Sequence, residues 1–170
     1  MMDLRSAQQP FRDRYRAVPD TARVTLVARG DQADAPVSCS VDLGRAVYEA
    51  QAHTGVGGAG TAACSGDLLL GALAACAQLT CQMVATSMGI DVERVGVTVE
   101  GDLDLRGTLG LDEHAPVGFS AIRVRFDVEA RGAGEEELRR LAEKTERYCT
   151  VFQTLTNPPR IETTWANGYG

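Results

Sequence analysis

Aromatic side chains are scarce in this 170-residue chain, at 5% of the total with a single tryptophan. It has two histidines, His53 and His114, and its five cysteines contain no C-x-x-C pair. A structural zinc site needs four converging ligands, so this thin, scattered set gives no expectation of a metal. Basic charge is also short: the net charge is −6 and the isoelectric point about 4.9. That balance offers no electrostatic footprint for a nucleic-acid backbone and no basic patch for anionic lipid. The first twenty residues mix Arg5, Arg12, Arg14 and Arg16 with Asp3, Asp13 and Asp20 and lack the apolar core of a signal peptide. A cytoplasmic protein is expected, in which an odd number of irregularly spaced cysteines reads as free thiols.

What the chain does have is one long uncharged run. From Leu68 to Ile90 there is no Asp, Glu, Lys, Arg or His, and the apolar residues Leu68, Leu69, Leu70, Leu73, Cys76, Leu79, Val84 and Met88 fall on every side of a helix. A helix that is hydrophobic all round is buried, in a core or in a bilayer. Gln78, Thr80, Gln82, Thr86 and Ser87 interrupt the run, and its flanks are Asp67 and Asp91 with no Lys or Arg beside them. Those features favour a central core helix over a membrane span. Ser65 suits its N-cap, Asp67 its first turn and Gly89 the position after its last.

Around that helix the pattern is mixed. Residues 1–20 read as a loose arm with Phe11 and Tyr15 as docking points, and residues 21–170 as one domain. Ala22–Ala28 reads as a strand, Arg29–Asp31 as a turn, and Val37, Cys39 and Val41 as the buried parity of a second strand. A third strand follows over Arg45–Ala50, which gives an antiparallel meander. The glycines of Gly55–Gly60 match G-x-G-x-x-G spacing. Four residues separate them from the helix, however, and no acidic residue follows at the distance a ribose requires. The segment therefore reads as a flexible loop, and no cofactor is expected.

Val95, Val97 and Val99 continue on one parity through Leu103 and Leu105, and Ile122, Val124, Phe126 and Val128 alternate with charged residues. These read as two long strands with one wet face. Glu135–Tyr148 is an amphipathic helix with three glutamates in its first turn. Thr150 and Gln153 have capping-box spacing, so a short helix starts after Cys149, where the dipole lowers a thiol pKa. Ile161–Trp165 reads as a closing strand. The fold class is α+β.

The central helix, read as Gly66-Asp67-Leu68-Leu69-Leu70-Gly71-Ala72-Leu73-Ala74-Ala75-Cys76, and the later Cys149-Thr150-Val151-Phe152-Gln153-Thr154-Leu155 resemble the OsmC/Ohr family of thiol peroxidases. That family carries P-x-E-L-L-L-A-A-L-x-A-C and, some way on, C-P-x-S-x-x-L. The order of elements agrees over about residues 22–165. The resemblance implies an OsmC-like fold, with antiparallel sheets wrapped around long central helices in an intertwined homodimer, and a reactive cysteine reached through an apolar pocket.

The resemblance further implies a two-cysteine peroxidase of organic hydroperoxides. Cys76 would be the attacking thiol and Cys149 the resolving one, with a cellular dithiol as reductant. Cys64 is the alternative resolving thiol, and Cys39 and Cys81 read as buried hydrophobes. The family's activating arginine comes from the first hairpin, which points to Arg29, with Arg45 as the alternative. The carboxylate that pairs with it in the Ohr branch stands ten positions before the reactive cysteine. Gly66 occupies that place here, with Asp67 next to it, and Thr150 replaces the family's proline. The missing glutamate also leaves open an alternative function, an apolar-ligand binding or redox-sensing protein on the same dimeric fold.

Overall fold

The computed structural model describes residues 4–25, 29–32, 38–43 and 46–165. The chain opens with a helix, α1 (Leu4–Ala17), where the sequence reading expected a loose arm. Side-chain pairs one turn apart account for it: Gln9 donates to Asp13 at 2.8 Å, Arg12 to Gln8 at 3.2 Å, and the Arg14 guanidinium lies 5.5 Å from the Phe11 ring. Each such pair contributes only about 0.2–0.5 kcal/mol, so an apolar-periodicity reading overlooks them. Gln8 touches the Met83 sulfur at 3.9 Å and ties this helix to the core.

A small sheet follows. β1 (Arg29–Gln32), β2 (Ser38–Asp42) and β3 (Val47–Gln51) form an antiparallel meander, with Arg29 opposite Asp42 and Ser40 opposite Glu49. β4 (Ala63–Cys64) adds to β3 in parallel. The first strand therefore begins where a turn was expected. The described part of Ala22–Ala28 is the end of a 3-10 turn (Pro19–Ala22) and irregular chain, and residues 26–28 lie outside the described residues. Pairing with β2 decides which residues are strand, over local β-branched content. Val37, Gly44 and Arg45 also lie outside the described residues.

The glycine loop is a chain reversal. A Cβ at Gly58 would meet the Ala52 carbonyl oxygen at 1.6 Å, and Gly57 has φ +93°, so glycine is required at both. The reversal delivers the chain to α2 (Ser65–Met88), whose N-cap is Cys64, one residue before the expected Ser65. Asp67 Oδ2 accepts from the Cys64 N–H at 2.9 Å and satisfies an end-group donor. At the other end Gly89 has φ +76°, and the Ile90 N–H bonds to the Ala85 carbonyl at 3.0 Å.

β5 (Asp91–Asp102) and β6 (Ala121–Arg131) pair antiparallel over their whole length, with an irregularity at Val92/Arg94. One face presents Val95, Val97, Val99, Ile122, Val124, Phe126 and Val128 to α2. The other is wet and cross-paired: Arg123 bonds Asp102 at 2.8 Å, and Arg94 bonds Glu129 at 3.3 Å. The apolar parity expected to continue to Leu105 stops at Asp102. Asp104 caps a single helical turn, α3 (Leu105–Thr108), by accepting from the Arg106 N–H at 3.0 Å.

α4 (Glu135–Tyr148) packs on α2 through Leu138, Leu141 and Thr145. α5 (Thr150–Thr156) follows at once. Its N-cap is Cys149. The expected Thr150–Gln153 capping box gives way to a bond from Gln153 Nε2 back to the Glu146 carbonyl at 2.9 Å. No strand forms over residues 161–165. A strand exists only with a ladder partner, and among the described residues Ile161 and Trp165 stand 82% and 78% exposed.

Candidate active site

Cys76 lies near the middle of α2, and Cys149 occupies the joint between α4 and α5. The Cys149 N–H donates to the Thr145 carbonyl and its carbonyl accepts from the Gln153 N–H, both at 2.9 Å, so the residue ends one helix and starts the next. This double duty fixes the position of its side chain. Leu73, Ala77 and Cys149 form a buried cluster, with Val97, Val99, Val124, Phe126 and Phe152 around it, and Cys76 sits at its edge. Cys149 is 1% exposed, whereas Cys76 is partly open to solvent.

The two sulfurs have opposite electrostatics. Burial pushes the Cys76 thiol up, but the nearby Val151 N–H, Cys149 thiol, Thr80 hydroxyl and Thr150 N–H pull it down and outweigh burial. The net effect places Cys76 below an ordinary thiol. The Thr150 and Val151 N–H groups belong to the first turn of α5, where helical N–H groups lack intrahelical partners. Cys149 moves the other way. Burial raises it, the Phe152 N–H opposes, and donation of its S–H to Cys76 raises it further. Of the two thiols, Cys76 is the one whose surroundings favour ionisation.

The remaining candidates lie elsewhere. Cys81 is buried, and burial pushes its thiol up despite a bond with Thr145, as for an inert core cysteine. Cys64 is buried at the start of α2, twelve residues and about 18 Å of helical rise from Cys76. Asp67 stands nine residues before Cys76, and its carboxylate is held below the usual range chiefly by the Cys64 N–H, as a cap. Arg29 opens β1, and its side chain lies outside the described residues, as does the whole of Arg45. Gly66 is covered by Phe119, whose Cζ would lie 3.2 Å from an added Cβ. Thr80 escaped the sequence reading as a site residue, although its position one turn after Cys76 on a helix was the available signal.

An apolar cleft of about 570 Å³ opens at the start of α2, lined by Val56, Cys64, Leu69, Leu103, Val117 and Phe119 among others. Within one chain it is separate from the thiol pair. Among the described residues no group of three or more His, Cys, Asp or Glu side chains could hold a metal ion.

Comparison with known proteins agrees with this architecture. No curated protein matches the sequence. The fold is similar to an OsmC-like protein from Mycoplasma pneumoniae, with a TM-score of 0.67 and 16% identity over 79% of this chain and 89% of that one. It is also similar to an organic hydroperoxide resistance protein OsmC from Legionella pneumophila, at a TM-score of 0.59 and 20% identity, covering 80% and 92%. An organic hydroperoxide resistance protein from Elizabethkingia anophelis has a TM-score of 0.60 and 21% identity, covering 81% and 91%. The family model for OsmC-like proteins matches residues 58–164, from the glycine loop through both site cysteines, and the chain belongs to that family.

Proposed function

We propose that this protein is a thiol-dependent peroxidase that reduces organic hydroperoxides and protects a cell against oxidative stress. The observation that carries the reading is the placement of a partly open Cys76 against the cluster that seals Cys149, with the Cys76 thiol shifted down and the Cys149 thiol up. The Cys76 thiolate attacks the distal oxygen of ROOH and the O–O bond breaks. Cys76 becomes a sulfenic acid, and RO⁻ takes up a proton to leave as the alcohol. The Cys149 sulfur then attacks the sulfenic sulfur, forms the disulfide and releases water. An external dithiol reduces that disulfide by exchange and is itself oxidised. Arg29, with Arg45 as the alternative, is the residue we assign to steadying the thiolate.

The active form we propose is a homodimer. α2 buries Leu73, Ala77, Cys81 and Val84 within its own chain but leaves Leu69, Leu79 and Met83 at 39%, 57% and 43% exposure. An apolar stripe of this kind on a core helix is suited to a second apolar surface, and a second copy would also narrow access to Cys76. Gly66 and the apolar cleft beside it favour a second reading, a binding or redox-sensing protein with little turnover.

The decisive experiment is intact mass after one equivalent of cumene hydroperoxide, followed by peptide mapping. Loss of two hydrogens mapped to Cys76–Cys149 is the expected result. A Cys64–Cys76 link keeps the chemistry and changes the resolving residue. Unchanged mass with free thiols overturns the peroxidase reading in favour of the binding protein.

A further inference from the structure

The first helix, α1, meets the core with its polar side. Phe11, Tyr15 and Val18 recur at helical spacing, and the Val18 N–H still bonds the Arg14 carbonyl at 2.8 Å, so the three share one face. That face points outward, with Phe11 51% and Val18 52% exposed and the Phe11 and Tyr15 rings 6.3 Å apart. Towards α2 the side chains are polar: Gln8, Arg12 and Arg16 face Met83, Thr86 and Ser87 across a gap of about 350 Å³. The Gln8–Met83 contact at 3.9 Å bridges the two helices. A second gap, of about 400 Å³, lies between Gln8 and Arg12 on one side and Met88, Lys144 and Tyr148 on the other. Close-packed interfaces leave few voids larger than a water, and an amphipathic surface helix normally buries its apolar stripe. Here the stripe is left without a partner. α1 also lies outside residues 58–164, the span the family model matches.

We propose that Phe11, Tyr15 and Val18 form a dimerisation surface that packs on the exposed α2 stripe around Leu79 of a second copy of this chain. The assignment rests on the homodimer reading and names a contact that holds it. Two observations single out a second copy. Leu79 is 57% exposed, one turn before the Met83 that Gln8 touches, so the two uncovered apolar surfaces neighbour each other on one chain. A two-fold contact needs such a self-complementary patch, because each copy gives and receives the same pair of surfaces. Charge points the same way. α1 carries four arginines against one aspartate in a chain of net charge −6, so the rest of the chain is acidic. An acidic body attracts the basic helix of another copy, and it is repelled by an anionic lipid surface.

The test is sedimentation of the full chain and of Phe11→Glu over a range of concentrations. The variant places a carboxylate in the apolar contact, and its dimer dissociation constant is expected to rise at least about tenfold. Phe11 is exposed in the single chain, so the variant keeps the wild-type circular dichroism. Val18→Glu repeats the comparison from the other end of the face. The seat of the helix is read separately, by placing photoreactive benzoylphenylalanine at position 11 in an equal mixture of unlabelled and isotope-labelled protein. Cross-links between differently labelled chains that map to the α2 peptide carrying Leu79 are the expected result. Dimers of unchanged strength in both variants, or cross-links confined to single chains, overturn the assignment while the homodimer stands. A monomeric wild type overturns both. Capture by phosphatidylcholine or phosphatidylserine vesicles that Phe11→Glu abolishes, with self-association unchanged, gives the face to a lipid surface and overturns the assignment as well.

Discussion

Cys149, 1% exposed, is sealed in a cluster with Leu73 and Ala77, and Cys76, partly open to solvent, packs against that cluster from α2. In the proposed cycle a hydroperoxide entering from solvent meets Cys76 first, with Cys149 sealed behind it.

The two cysteines should separate kinetically. Cys76→Ser removes the nucleophile and lowers hydroperoxide consumption by at least about 100-fold, the scale of losing a covalent catalyst. Cys149→Ser leaves one oxidation per chain and then stalls, with Cys76 trapped as sulfenic acid and advancing to sulfinic acid under excess peroxide. Coupled dithiol consumption and mass spectrometry measure both, and wild-type turnover in Cys76→Ser would falsify the proposed roles.

The opposite thiol shifts give a pH signature. Because Cys76 is held below an ordinary thiol, its thiolate fraction reaches its midpoint at a lower pH than an ordinary thiol does. Cys81, pushed up by burial, stays unreactive through that range. Alkylation rates resolved by peptide from pH 5 to 10 should rank Cys76 first. Capture of Cys81 at the same midpoint contradicts the electrostatic picture.

Asp67 should matter for stability more than for reactivity. Asp67→Ala leaves the Cys64 N–H without its partner and costs about 1 kcal/mol, the usual worth of a helix-start carboxylate. The folded carboxyl is depressed, so this contribution is present above the ordinary carboxylate range and is lost as pH falls through the lower folded value. Denaturant melts at pH 7 and pH 3 test the sign. The Cys76 alkylation midpoint should not move in this variant.

Phe119 is wedged between two glycines. A Cβ at Gly101 would meet its ring at 2.5 Å, and one at Gly66 at 3.2 Å. Gly101→Ala must displace the ring and is expected to cost about 1–3 kcal/mol, an overpacking penalty, with Gly66→Ala costing less. Urea unfolding of both variants decides the order.

The exposed apolar stripe of α2 makes oligomeric state measurable. Sedimentation should show a dimer, and Leu79→Glu should shift it to monomer by placing a charge at a desolvated contact. A monomeric wild type would remove the dimer from the proposed function.

Much of this fold was legible wherever burial leaves a period in the sequence. The uncharged run became α2, the alternating runs became β5 and β6, and the glutamate-led amphipathic segment became α4, since each advertises its buried face. The α1 helix was missed because it rests on small polar pairs. No strand forms over residues 161–165 or over 22–25, the described part of the expected Ala22–Ala28 strand, because strand formation belongs to a pair of segments and propensity describes only one of them. Cys76 and Cys149 were both named from the sequence, but through family motifs. Composition alone would class either one as a small buried hydrophobe.

The sequence by itself determined a helix apolar on every side, two half-wet strands, a cysteine beside a helix start and the family to which these belong. Only the tertiary structure decided that Cys149 is sealed beside Cys76, in which direction each thiol is shifted and where Asp67 directs its carboxylate. Periodicity is a property of neighbours along a chain. The approach of the α4–α5 joint to α2 is a property of the packed chain, and the packing of Leu73, Ala77 and the β5–β6 sheet sets it.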